Sequence, residues 1–407
     1  MTAEVDLQIL RLGARGDGIA ETPEGPRYLP FVLPGERVAA EAGGLPRLQS
    51  PPSPERRDPC CRHFGVCGGC VAQHMSERLY ADWKRSILVE ALRQRGLSGE
   101  VAPLRPIPAG SRRRAVFTAR REKKGGVLLG YHPRESDVVF ALKECPVLVA
   151  EIVAALPALR EIAAHTAEPE VRLTVLATPA GLDVAVSSER RLAASAAARL
   201  AQIAAGERGL ARLTLNGETL SQRSLPQLSF AGVEVCPPPG AFVQAVAAAE
   251  ALLGEEVTNA VRGARRPADL FCGLGTLTFS LARRAPVAAF DNDAEAIAAL
   301  TAAARHAKGL KPIMASVRDL LREPLAPGEL KDYDAVVLDP PRAGAKAQAL
   351  ALARSRVPVV VAVSCAPGTL ARDLKILVDG GYHLQGVVPI DQFLFSAHVE
   401  AVAHLRR

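Results

Sequence analysis

Apolar and polar positions alternate through the first fifty residues, in VDLQILRL and again in YLPFVLPGERVAAE, with the turn-forming GARGDG between them. Period-two alternation broken by glycines predicts a small antiparallel β unit of barrel-like form. PPSPERRDP at 51–59 reads as a linker, because prolines and charges interrupt any regular element. From Ser76 the spacing changes: Leu79, Trp83, Ile87, Leu88, Ala91 and Leu92 fall on one helical face, and Gly96 is the expected stop. The stretch to about residue 240 returns to strands (AVFTARR, VLLGYH, VRLTVLAT, LDVAVSS, ARLTLNG) with an Ala-rich helix over 191–206, which predicts an α+β unit. Beyond about 241 the apolar runs ADLFCG, VAAFDN, AVVLDP and VPVVVAVSC are separated by helical patterns. Continuous apolar runs suit strands covered on both faces, so this part is predicted to be a doubly wound α/β domain with a largely parallel sheet. The expected division is 1–50, 51–240 and 241–407.

A chain of 407 residues has room for these three units. Its longest apolar run, VPVVVAV at 357–363, is far short of the ~18–20 residues a membrane span needs, and the N-terminus has no basic-then-apolar leader pattern. The expectation is a cytoplasmic protein with no membrane association. The net charge is +7, and only nine of the 50 basic residues are Lys, so Arg, whose planar guanidinium suits phosphate, carries most of it. The excess concentrates at 105–124, RPIPAGSRRRAVFTARREKK, where eight basic residues including Arg112, Arg113 and Arg114 face the single Glu122. Such a stripe fits a polyanion partner, or else a solvated strand face. Eight cysteines in a cytoplasmic chain do not suggest disulfides. Four of them crowd into CCRHFGVCGGC, and Cys145 follows at a distance.

The strand expected at Ala268 to Cys272 runs into Gly273, Leu274 and Gly275 and then a helix, and Asp291 ends the next strand about twenty residues on. Glycines at a strand-to-helix junction let the backbone approach a ligand, and a carboxylate at that distance can accept from ribose hydroxyls. An ordinary βα turn with a helix N-cap would look similar, and a nicotinamide dehydrogenase shares the glycine spacing. Asp339 ends a further strand before Pro340 and Pro341, and Cys365 follows the most apolar strand at the carboxyl edge of the sheet. There a helix N-terminus would favour its thiolate, although most lone cysteines are buried packing residues.

CRHFGVCGGC, SRRRAVF, ECPVL, FVQ, DLFCGLG, DPPRAG, SCAPGTLARD and the terminal HVE occur in order over nearly the whole chain. Together they resemble the TrmA-like RNA uracil C5 methyltransferases, and among them the RlmD-type ribosomal RNA enzymes. The resemblance implies an S-adenosylmethionine-dependent enzyme in which Cys365 adds to C6 of uracil and Glu400 removes the C5 proton. It places cofactor contacts at Gln244, Phe271, Gly273, Gly275, Thr276, Asp291, Asp319 and Asp339, and lets Arg112 to Arg114 grip RNA around an extruded base. It assigns Cys61, Cys67, Cys70 and Cys145 to a [4Fe–4S] cluster, with zinc as the competing occupant. Cys60 is then a spare thiol, and Cys236 and Cys272 are packing residues. The first 50 residues resemble a TRAM module, which places 23S ribosomal RNA ahead of transfer RNA as substrate; a monomer is expected. The chain departs from the family where Val246 and Ala366 replace asparagines and where DQFLFSAHVE lacks the usual Pro-His pair, and these changes suggest altered substrate positioning. The same enzyme acting on transfer RNA, and a non-catalytic ribosome-assembly factor, are the alternative functions.

Overall fold

The computed structural model describes residues 5–41, 44–122, 125–134, 136–166, 169–190 and 192–407. Lys123 and Lys124 of the basic stretch, and Arg191 at the start of the expected Ala-rich helix, lie outside the described residues.

The N-terminal strands β1 (Val5–Gln8), β2 (Arg11–Leu12), β3 (Gly18–Thr22), β4 (Gly25–Leu29), β5 (Arg37–Ala40) and β6 (Arg47–Leu48) form two three-stranded sheets, β1-β5-β6 and β2-β3-β4. They share a small core of Leu7, Ile9, Ala20, Leu29, Val32, Val38 and Ala40, in antiparallel pairings as the alternation predicts. Helix α1 (Glu77–Arg93) follows, capped by the Ser76 hydroxyl, which accepts from the Leu79 amide at 3.1 Å.

The middle of the chain builds a seven-stranded sheet from β7 (Arg114–Arg121), β8 (Val127–Tyr131), β9 (Phe140–Ala141), β10 (Glu170–Thr178), β11 (Gly181–Ser187), β12 (Leu210–Leu215) and β13 (Glu218–Gln222), in the order β13-β12-β11-β10-β7-β8-β9. Helices α2 (Ala150–Ala154), α3 (Leu156–Ala164) and α4 (Ala194–Gly206) belong to the same unit, and Leu156, Leu159, Ile162 and Leu200 pack with Phe117, Leu173 and Val184 of its strands. The hairpin β14 (Leu228–Phe230) and β15 (Val233–Val235) leads out of it.

The C-terminal unit alternates α5 (Ala247–Ala260), β16 (Pro267–Leu270), α6 (Thr276–Ala282), β17 (Val287–Asp291), α7 (Ala294–His306), β18 (Ile313–Val317), α8 (Pro327–Leu330), β19 (Ala335–Leu338), α9 (Lys346–Ala353), β20 (Val359–Ser364), α10 (Pro367–Asp379), β21 (His383–Ile390) and β22 (Glu400–Arg406). The sheet order is β18-β17-β16-β19-β20-β22-β21. Strands β16 to β20 pair in parallel, and the last strand, β22, inserts antiparallel between β20 and β21. This reversal brings the HVE segment from the end of the chain to the carboxyl edge, beside the end of β20.

Segments on both sides of the central sheet pack against the C-terminal unit. Trp83, Leu88 and Leu92 of α1 pack with Leu374, Leu377 and Tyr382, and Val101 and Arg105 bridge to Val387 and Ile390 of β21. The β14–β15 hairpin contributes Leu228, Phe230, Val233 and Val235 to a core with Phe279 and Leu300. Helical periodicity reveals which face of α1 is apolar, but not which surface covers it.

Candidate active site

At the carboxyl end of β16 the chain turns sharply: Phe271, Gly273 and Gly275 have φ of +65°, +52° and +90°. The Phe271 and Cys272 amides both donate to the Phe290 carbonyl, at 2.9 and 3.1 Å, and α6 begins at Thr276. A Cβ at Gly275 would stand 2.8 Å from the Phe279 ring and 2.9 Å from Leu300, so glycine is required there by both conformation and space. A Cβ at Gly273 would meet nothing within 4 Å, so that face of the turn is open. Asp291, at the end of β17, accepts from the Gly273 amide at 2.8 Å and the Asp293 amide at 2.9 Å, which fixes the turn from below. Asp269 was not singled out in the sequence. It is fully buried, accepts from Thr278 at 2.5 Å through one oxygen, and has its other oxygen without a partner. Burial, with the charges of Asp339 and Asp291, pushes its carboxyl up to about 7.

Asp339 lies just past β19, and its amide donates to the Leu270 carbonyl at 3.1 Å, so it is level with the glycine turn. Gln244 donates to the Asp339 carboxylate at 3.3 Å. Gln392 donates through one amide nitrogen to Gln244 Oε1 at 2.7 Å and to Glu400 Oε2 at 2.9 Å. A continuous buried relay therefore joins Asp339 to Glu400. Glu400 opens β22 and is 3% exposed. Burial raises its carboxyl well above the ordinary range, the Asp339 charge adds to this, and the Gln392 hydrogen bond opposes both.

Cys365 sits between β20 and α10, and the neighbouring Ser364 is in register with Ala401, next to Glu400. Burial raises its thiol first and the Glu400 charge second, while the Arg342 guanidinium and its hydrogen bond lower it. Arg342, from DPPRAG, also donates to His398 Nε2 at 3.0 Å. Burial, followed by the charges of Arg342, Lys84 and Arg112, keeps His398 neutral and able to accept. Gln392, Arg342 and His398 carry no signal in periodicity or spacing. They become visible only when β22 brings the loop before it against DPPRAG.

Asp269, Asp291, Asp339 and Glu400 converge at one sheet edge, and none of them is in an ion pair among the described residues. Such a site favours a ligand carrying positive charge, which would offset their mutual repulsion.

Other expected residues are placed differently. Asp319 accepts from the Leu321 and Arg322 amides at 3.1 and 3.3 Å, capping its own turn after β18, with its side chain partly open to solvent. The basic stretch is not a free surface stripe. Arg113 is held in a largely buried ion pair with Glu250 at 2.6 Å, Arg120 pairs with Glu170, and Arg121 donates to the Ala164 and Thr166 carbonyls. The Arg113 guanidinium ties α5 to the start of β7. Arg112 lies over the Phe393 ring at 5.9 Å, and Arg114 over the 71% exposed Phe242 at 5.6 Å. These two basic groups remain beside the carboxyl edge.

Val246 and Ala366 are the N-caps of α5 and α10, both without a side-chain cap. The amides missing from the two family positions are therefore missing from helix caps.

Cys61, Cys67, Cys70 and Cys145 lie close enough that each of the six pairs interacts through charge. Burial raises Cys67 and Cys145 and pushes Cys70 up to about 12. Among the described residues no three His, Cys, Asp or Glu side chains converge on a point that could hold a metal ion. All four of these cysteines are partly buried. Cys60 is exposed and outside this set, and Cys272 is buried beneath the glycine turn.

A sequence profile for tRNA (uracil-5-)-methyltransferases matches residues 238–407, a span containing Gln244, Asp291, Asp339, Cys365 and Glu400. An RNA methyltransferase of Rhizobium meliloti (strain 1021), itself uncharacterised, is 49% identical over 98% of each chain. The 23S rRNA (uracil(1939)-C(5))-methyltransferase RlmD of Alkalilimnicola ehrlichii is 33% identical over 99% of this chain and 96% of its own. Among solved structures, the Pyrococcus abyssi tRNA (uracil-54, C5)-methyltransferase in complex with S-adenosyl-L-homocysteine superposes with a TM-score of 0.75 at 23% identity, covering 98% of this chain and 99% of that one. The likeness extends over all three units of the fold.

Proposed function

The chain belongs to the S-adenosylmethionine-dependent RNA uracil-C5 methyltransferases, and from that premise we propose that it forms 5-methyluridine in 23S ribosomal RNA, with Cys365 as nucleophile and Glu400 as base. The observation that carries this reading is the meeting of Cys365, just past β20, with Glu400 at the start of the neighbouring β22, at the same sheet edge as the glycine turn. The Cys365 thiolate bonds to C6 of uracil, and the displaced π pair makes C5 nucleophilic. S-adenosylmethionine supplies the methyl group to C5. Glu400 then takes the C5 proton, the C5–C6 double bond re-forms, and the C6–Sγ bond breaks to release Cys365. Arg342 favours the thiolate at the first step and at the last.

Gly273 and Gly275 with Thr276 would bring backbone against the cofactor, and Asp291 would accept from its ribose hydroxyls through the lone pairs the turn leaves free. Phe271, Gln244 and Asp339 would surround the methyl-bearing end, and Asp319 the adenine side. Cys61, Cys67, Cys70 and Cys145 would hold a [4Fe–4S] cluster, which would stabilise the loop around it. Arg112 and Arg114 would face the RNA backbone, and Phe242 a base. A cytoplasmic monomer suits this task. The higher sequence identity to RlmD than to the solved tRNA enzyme favours ribosomal RNA, and transfer RNA is the rival substrate.

Comparing RNA from cells with and without the protein tests the assignment, with 23S, 16S and transfer RNA separated before nucleoside mass spectrometry. Loss of 5-methyluridine from 23S RNA alone is the expected result. Loss from transfer RNA would move the substrate and keep the chemistry, and no change in any fraction would leave the non-catalytic assembly role in its place.

A further inference from the structure

The loop between β21 and β22 holds Gln392 against Glu400 and His398 against Arg342, yet it has no regular structure and turns through Phe395 at φ +60°. One buried ammonium gathers it. Lys84, on α1, is fully buried, and its Nζ lies 3.0 Å from Asp391 Oδ1 and donates to the Phe393 carbonyl at 3.1 Å and to the His398 carbonyl. An ammonium has three N–H donors, and these acceptors, drawn from both ends of the loop, use all three. Tyr80, one turn earlier on α1, donates to Asp391 at 2.8 Å and accepts from the Phe395 amide at 2.9 Å, so the strained middle of the loop is tied to the same helix.

Stability alone does not call for this arrangement, since an apolar pair of similar volume is often as stable as a buried ion pair or more so. Three directed donors do something an apolar side chain cannot: they set the spacing between residues 391, 393 and 398. We infer that Lys84 is a positioning residue for proton abstraction, holding the 391–398 loop so that Gln392 orients Glu400 toward the C5 proton. The inference rests on the reading of Glu400 as the base. Lys84 bonds to Asp391 and to the Phe393 and His398 carbonyls rather than to Cys365 or Glu400, and its influence passes through Asp391 and the loop backbone.

The test separates the steps. RNA carrying 5-fluorouridine at the target forms a methylated covalent adduct with Cys365 without needing proton removal, whereas ordinary uridine needs Glu400 for release. The double variant Lys84→Met/Asp391→Leu removes both charges together, so neither is left buried without its counter-charge. With 23S RNA transcribed in vitro, its adduct formation on 5-fluorouridine RNA should stay within about twofold of wild type, turnover on uridine RNA should fall about 10- to 100-fold, and a methylated protein–RNA adduct should accumulate on ordinary RNA. Wild-type turnover would overturn the inference. So would parallel loss of both reactions in a variant with unchanged cofactor affinity. If the double variant does not fold, Tyr80→Phe carries the test: adduct accumulation in the same direction supports the role, and unchanged partitioning refutes it. If the wild-type enzyme forms no adduct on 5-fluorouridine RNA, it is the C5 reaction that fails, a result distinct from any effect of Lys84.

Discussion

Cys365 and Glu400 face the same difficulty, since each works in its charged form and each lies where burial penalises charge. Both ordinary ionisation ranges are therefore shifted upward, and both active forms appear as protons are lost. Activity should be low in acid and rise with pH through neutrality, as kcat/KM profiles would show. Arg342→Met removes the main influence holding the Cys365 thiol down, so the rising limb should move further to the alkaline side; an unmoved profile would mean Arg342 does not act on the thiol. Cys365→Ala should abolish both turnover and covalent adduct. Glu400→Gln should lower turnover about 10²- to 10⁴-fold while a methylated protein–RNA adduct builds up, seen as a retarded band carrying labelled methyl. Cys365 could be singled out from its place between an apolar strand and a helix, whereas Glu400 was expected only through resemblance, because a terminal-strand carboxylate has no local sign of burial. Gln392 and Arg342 were not singled out at all, since their roles depend on contacts between separate segments that only the fold brings together.

At the level of elements, the strands and helices of the C-terminal unit follow directly from the apolar runs, and the expected stop of α1 at Gly96 lies within three residues of its observed end. What periodicity cannot carry is pairing direction: β22 is as apolar as a parallel strand would be, and only its return across β21 reveals that it is reversed. The two positions where family asparagines are absent gain a physical meaning at this scale. Ala366 has extended backbone angles suited to an N-cap, with Pro367 at the first helical position, but it has no side chain to accept from the first turn of α10. Ala366→Asn should therefore stabilise the protein by about 1 kcal/mol in chemical denaturation. An unchanged midpoint would show that Ser364, which accepts from the Ala366 amide at 3.1 Å, already does the work of the cap.

For the whole molecule, the cysteine segment lies where three parts of the chain meet. The Gly68 amide donates to the His132 carbonyl after β8, and a Cβ at Gly68 would come within 2.5 Å of that oxygen, so the approach requires glycine. Val71 and Ala72, directly after Cys70, both donate to the Phe395 carbonyl, at 2.8 and 3.1 Å, in the loop that leads to Glu400. Cys145 joins the set from the segment after β9. A group bound by the four thiolates would therefore brace a junction between the central sheet and the catalytic loop, a role that sequence spacing gives no hint of, because it shows only which residues might share a ligand. Cys67→Ser with Cys70→Ser should remove about four irons per chain, as anaerobic metal analysis and loss of absorbance near ~400 nm would report. Hydrogen exchange should then quicken at both 61–76 and 391–399, while the glycine turn and cofactor affinity, which depend on β16, β17 and α6, stay as they are. Faster exchange confined to 61–76 would mean that the two amides on Phe395 hold the catalytic loop without help from the cluster. A protein that contained zinc when purified without oxygen would assign the junction to a different metal and leave its bracing role to be read from the same exchange pattern.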